Sequence, residues 1–156
     1  MASTEMKKEK PYKGRNRKIK KSIYRQQIPQ QFAEDLYQKI YDIVITQKKF
    51  LDKDYSAANL AKELNTTPRY LSGVINSRFK MNYPCLRNGF RIKEAARMMK
   101  DKQHVALTLD DVWQRVGFAN RQSFYSAFID CMGETPARYR RRYITLGQTR
   151  KARSSE

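Results

Sequence analysis

The sequence predicts an all-α fold, and three observations carry that prediction. Apolar residues recur three and four positions apart through most of the chain, the spacing of one helix face. No segment alternates polar and apolar residues long enough to make a strand. Residues suited to opening a helix stand just ahead of successive apolar runs.

The first helix starts after Pro29, where Phe32, Leu36, Ile40, Ile43 and Val44 mark one face. Glu34 and Asp35 near its start and Lys48 and Lys49 near its end suit the helix dipole. Ser56 caps a short helix through about Leu64. Thr67 then caps the next helix, and Pro68 takes its first turn, where the missing N–H costs nothing. A longer amphipathic stretch from about Tyr83 to Lys100 runs through Leu86, Phe90, Ala95, Ala96 and Met99. Thr108 to Asp111 reads as a capping box. Asn120 caps a further helix to about Asp130, and Thr135-Pro136 opens the last one.

The two ends of the chain lack this pattern. Lys7, Lys8, Lys10, Lys13, Arg15, Arg17, Lys18, Lys20, Lys21 and Arg25 face only Glu5 and Glu9, with too little apolar surface to offset ordering. Residues 1–28 are expected to form a disordered basic tail, and 148–156 a flexible C-terminus. Over the whole chain 33 Lys and Arg stand against 15 Asp and Glu, a net charge of +18. Such a surface attracts polyanions, nucleic acid first and an anionic membrane surface second. No apolar run is long enough to span a bilayer, and the N-terminus lacks the apolar middle of a secretory signal. Cys85, Cys131 and His104 are too scattered to supply the four close ligands of a structural zinc site, so no metal or other cofactor is expected. Nor is there a catalytic triad pattern, a paired-carboxylate site or a phosphate-cradling glycine loop, so the chain reads as a non-enzyme.

Within the helical region one plan occurs twice. Leu60-Ala61, Leu64-Asn65, Thr66-Thr67-Pro68, Leu71 and Ile75 are answered by Val112-Trp113, Val116-Gly117, Phe118-Ala119-Asn120, Phe124 and Phe128. Each is a short helix, a tight turn and a second helix. The turn needs one residue at positive φ; Gly117 supplies it, and Asn65 at the matching place is the next best choice. A connecting helix of about 18 residues spans ~27 Å. With its flanking turns, that length suits two reading helices about one DNA turn, ~34 Å, apart.

The stretch VGFANRQSFYSAFIDCMGETPARYR, residues 116–140, resembles the second helix-turn-helix of the AraC/XylS family of bacterial transcription regulators. Gly117, Phe118, Phe124, Phe128, Gly133, Pro136 and Tyr139 fall where that signature expects them, and GFRIKEAARMM, with Arg91, is similar to the family's linker. Three positions depart from it: Trp113 replaces a small Ala, and Asn65 and Lys80 replace glycines. Trp113 must either lean outward or widen the helix crossing.

Beyond the basic tail over 1–28 that composition predicts, the chain is expected to divide into a first helix-turn-helix subdomain over 29–82, a linker helix over 83–100, and a second subdomain over 101–147, the plan that the resemblance implies. It places base-reading positions on Arg69, Ser72 and Gly73 in the first unit, and on Arg121, Gln122 and Ser126 in the second. Helical spacing turns Leu71, Val74, Ile75, Phe124, Ala127 and Phe128 inward. That leaves Arg69, Tyr70, Ser72, Asn76, Arg121, Gln122, Ser123, Tyr125 and Ser126 as the candidate DNA-binding set. Arg pairs bidentately with guanine, and Gln or Asn with adenine. Arg91, among apolar neighbours in mid-linker, is assigned a structural hydrogen-bonding role instead. The implied function is sequence-specific regulation of transcription on double-stranded DNA, as a cytoplasmic, nucleoid-associated activator with RNA polymerase as a second partner. No small-molecule effector domain is evident in the sequence. The alternative is an architectural accessory factor for recombination or excision of a mobile element. The basic tail is read either as an arm along the DNA or as a solubility tail.

Overall fold

A computed structural model describes residues 28–104 and 106–143. The expected C-terminal tail, and all of the N-terminal tail except Ile28, lie outside the described residues. Seven α-helices and no strand occur among those described. They are α1 (Gln30–Tyr41), α2 (Ala57–Glu63), α3 (Pro68–Phe79), α4 (Tyr83–Lys100), α5 (Leu109–Arg115), α6 (Arg121–Met132) and α7 (136–143).

The two units repeat in their caps as well as their lengths. Ser56 opens α2 with a capping box closed by Asn59, and Thr108 opens α5 with one closed by Asp111. Each box satisfies backbone N–H groups that a helix start leaves orphaned. Both short helices also end alike. Thr66 N–H donates to the Ala61 carbonyl at 2.9 Å and Asn65 N–H to Lys62 at 3.1 Å; Phe118 N–H donates to Trp113 at 3.1 Å and Gly117 N–H to Gln114 at 3.0 Å. This doubled closure requires a left-handed residue after the helix, and Asn65 (φ 53°) and Gly117 (φ 85°) take that place. The longer helices α3 and α6 each have 12 residues, capped by Thr67 and Asn120. They too end in left-handed residues, Lys80 (φ 58°) and Gly133 (φ 74°).

The first helix is shorter than its periodicity predicts. It ends as α-helix at Tyr41, passes into a π-helical turn over Asp42–Thr46, and reverses at Lys48, whose backbone is left-handed (φ 55°). Lys48 and Lys49 therefore lie beyond the helix, and Lys48 pairs with Glu94 of α4 at 3.4 Å. Phe32, read as a core residue, is exposed and sets its ring edge-on to Tyr70 at 5.7 Å.

Two apolar clusters fill the fold. Leu36, Ile40, Val44, Leu60, Leu71, Val74 and Ile75 belong to the first; Ile92, Ala95, Val112, Val116, Phe124, Phe128 and Tyr139 to the second. α4 contributes to both, and Leu51, in the 3₁₀ turn Lys49–Leu51, packs against both. Arg91 completes this joint. It is buried on α4, donates from Nε to the Phe50 carbonyl at 2.5 Å and from Nη2 to the Asp52 carbonyl at 2.8 Å, and lies over the Phe118 ring at 5.6 Å. A strap from the first unit is thereby fixed against the turn of the second. The structural role read for Arg91 in the sequence is the one it has.

Candidate nucleic-acid interface

The inward residues of the two long helices are those the spacing predicts: Leu71, Val74 and Ile75 on α3, and Phe124, Ala127 and Phe128 on α6 are all buried. Anchoring by these residues decides what the opposite faces carry. On α6, Arg121, Gln122, Ser123 and Ser126 are exposed, while Tyr125 is half-buried. The Tyr125 ring stands edge-on to Phe124 at 5.9 Å, so its hydroxyl reaches outward from a fixed base. Arg121 Nη2 donates to that hydroxyl at 3.2 Å and its guanidinium lies 4.9 Å from the ring centre. The hydrogen bond that Arg121 donates to Tyr125 favours the charged guanidinium and raises its pKa above the usual value. An arginine braced in this way loses less side-chain freedom when it meets a partner.

On α3, Arg69, Tyr70 and Ser72 are exposed. Asn76 differs from expectation in being half-buried, with its side-chain carbonyl oxygen buried and without a hydrogen-bond partner. Gly73 is covered rather than open: a Cβ there would stand 3.2 Å from Ile28 Cδ1. The chain thus enters the described fold directly beside the middle of α3. No periodicity argument finds that contact, because Ile28 precedes the first helix and α3 lies over forty residues away. The apolar Phe32–Tyr70 edge is a second feature that sequence reasoning missed.

The helix starts are built alike. The Thr67 side chain accepts from Tyr70 N–H at 3.3 Å, and the Asn120 side chain from Ser123 N–H at 2.8 Å. The two linking turns differ in length, since Thr67 follows Asn65 by two residues and Asn120 follows Gly117 by three. Trp113 resolves the question its size raised by leaning outward: it is half-buried and its indole N–H donates to Asp110 Oδ1 at 2.9 Å. Cys85 and Cys131 are both free thiols. Among the described residues no helix is long and apolar enough to cross a membrane.

A family model described as a helix-turn-helix domain matches residues 60–142, which covers both short-helix and long-helix pairs. The chain belongs to the AraC-type helix-turn-helix family, whose members are DNA-binding transcription regulators. Solved structures agree on this AraC-type architecture. The C-terminal domain of AraT, a response regulator from Geobacillus stearothermophilus, is 28% identical with a TM-score of 0.57, over 70% of this chain and 83% of that one. A protein of unknown function from Listeria innocua is 20% identical at TM-score 0.59, over 67% and 94% respectively. The C-terminal domain of the two-component response regulator yesN from Fusobacterium nucleatum is 20% identical at TM-score 0.60, over 68% and 98%. The last two share the fold. No curated protein matches the chain.

Proposed function

We propose that a single chain reads an asymmetric site on double-stranded DNA by inserting α3 and α6 into two successive major grooves. In this reading the chain divides into a first unit (29–82), a linker (83–100) and a second unit (101–147). Its readers are Arg69, Tyr70, Ser72 and Asn76 on α3, and Arg121, Gln122, Ser123, Tyr125 and Ser126 on α6. The observation that carries the proposal is the repeated pair of helices held on one joint, Leu51 and Arg91 on one side and Gly117 and Phe118 on the other. Rigid separation lets α3 and α6 act as one reader. α4, with 18 residues, is long enough to set that separation near one turn of B-DNA. The positive dipole ends at the N-termini of α3 and α6 suit phosphate, which fixes register, and the exposed side chains supply base contacts. Bound upstream of a promoter, such a reader acts as an activator with RNA polymerase as its partner.

Arg121 and Gln122 are the readers to test first, because they are exposed on α6 and removing them leaves its core intact. The double variant Arg121→Ala, Gln122→Ala should lose about tenfold or more for the chain's selected site, since a good bidentate pair is worth ~1–3 kcal/mol. Affinity for unrelated duplex of equal length should change less than about threefold. Electrophoretic mobility shift titrations on both duplexes measure this; an equal loss on both assigns the two side chains to phosphate.

Ile28 beside Gly73 also gives the basic N-terminal residues a starting point next to the first reader. In our reading they run along phosphates as an arm. Residues 1–24 include nine Lys or Arg. Deleting them should flatten the slope of log affinity against log salt by at least about 2, each neutralised phosphate contributing ~0.9. An unchanged slope, measured by fluorescence anisotropy, removes the arm from the mechanism.

A further inference from the structure

A cavity of about 600 Å³ lies across α4, between the two helix pairs. Met81, Leu86 and Phe90 from the first cluster's side and Ile92 and Met132 from the second make its wall apolar. Its charged lining residues are Lys93, Lys100 and Arg142, and no carboxylate lines it. The cations are held in place. Lys100 Nζ stands 4.8 Å from the ring centre of Tyr143 and 5.6 Å from that of Tyr139. Arg142 lies over the same two rings and pairs with Glu134, behind the lining, at 2.5 Å. Tyr139 lines the cavity too, and its buried hydroxyl, short of a well-aligned hydrogen bond, stands beside the Lys100 ammonium and Tyr143. Lys100 can only donate to the hydroxyl oxygen, so the hydroxyl proton remains able to donate to an anionic acceptor.

We infer that this cavity is a binding site for a small amphipathic anion, an aromatic or short-chain carboxylate. The volume falls in the range of small-molecule sites, whose walls are apolar with a few convergent polar groups. A carboxylate placed at the Tyr139 end accepts a hydrogen bond from the hydroxyl and faces the Lys100 ammonium, while its apolar part lies against Phe90, Leu86 and Met132. None of the proposed reader residues lines the cavity, so the site goes beyond the DNA-reading function and stands or falls apart from it.

The test uses the full chain with methionine methyl groups labelled with carbon-13, titrated with 2-naphthoate and followed by NMR. Met81 and Met132 line the cavity, whereas Met98 and Met99 are buried in the second cluster and do not. The expected result is a saturable shift of the first pair alone, with 2-naphthalenemethanol, which lacks the charge, binding at least about tenfold more weakly. Tyr139→Phe keeps the ring and removes the hydroxyl, and should weaken 2-naphthoate binding about threefold or more. Equal binding of acid and alcohol, or a shift that extends equally to Met98 and Met99, overturns the proposal. So does no response of Met81 and Met132, the outcome if a second copy or the chain's own residues 144–156 cover the cavity.

Discussion

Gly117→Ala is expected to destabilise the fold by about 4 kcal/mol, more than the same change at Gly73 or Gly133. Two costs combine at this position. Its φ of 85° is strained for any residue with a Cβ, which alone costs ~1–2 kcal/mol. A Cβ there would also stand 2.2 Å from the Leu51 carbonyl oxygen and 3.1 Å from Arg91 Nη2. Backbone cannot swing aside as a side-chain tip does, so the Leu51 strap must move and loosen its packing on both clusters. Gly133→Ala is the internal control. Its φ of 74° carries the same strain, but nothing lies within 4 Å of the new methyl. It should cost only about 1 kcal/mol. Urea unfolding followed by circular dichroism separates the two; equal midpoints would mean that Leu51 does not press on the turn.

Arg91→Met should cost about 3 kcal/mol and also blur the spacing of the DNA site. The methionine fills much of the same apolar volume but leaves the Phe50 and Asp52 carbonyls without their donors, at ~1–3 kcal/mol each when buried. An opposing contribution reduces the total. Burial, and after it the neighbouring Arg87, pushes the Arg91 guanidinium down to about 10. A cation whose folded pKa is lowered costs stability at every pH below that value, and the substitution relieves this cost. The hydrogen bonds win because both acceptors lie on the strap that joins the units. The unfolding midpoint should therefore fall, and a duplex with one base pair inserted between half-sites should lose less affinity relative to the native spacing than it does with wild type. A variant of native stability that still rejects the inserted base pair would show that Arg91 does not hold the joint.

Local features were legible in the sequence, and contacts between distant segments were not. Ser56, Thr67, Thr108 and Asn120 cap the helices they were assigned, because a cap and its N–H partner lie within three residues. Asn65 and Gly117 take positive φ because a tight turn between two helices demands it. The span of α4 follows from its apolar face. Periodicity carries no sign of the π-helical turn at Asp42–Thr46 or the reversal at Lys48, since the apolar spacing of Ile40, Ile43 and Val44 suits an unbroken α-helix equally well. It placed Phe32 in the core because the residue lies in phase with Leu36, whereas the first turn of α1 overhangs the edge of α3. The resemblance that put Gly73 among the readers did not register Ile28 above it. Arg91 was legible as structural, but its acceptors at Phe50 and Asp52 were not.

Hydroxyl-radical footprinting of a selected duplex tests most directly whether two helices on one chain read adjacent grooves. The account predicts two protected windows on one face of the DNA, centred about one helical turn apart, ~10–10.5 bp, at one protein chain per duplex. One window alone, or two windows half a turn out of phase, would contradict it.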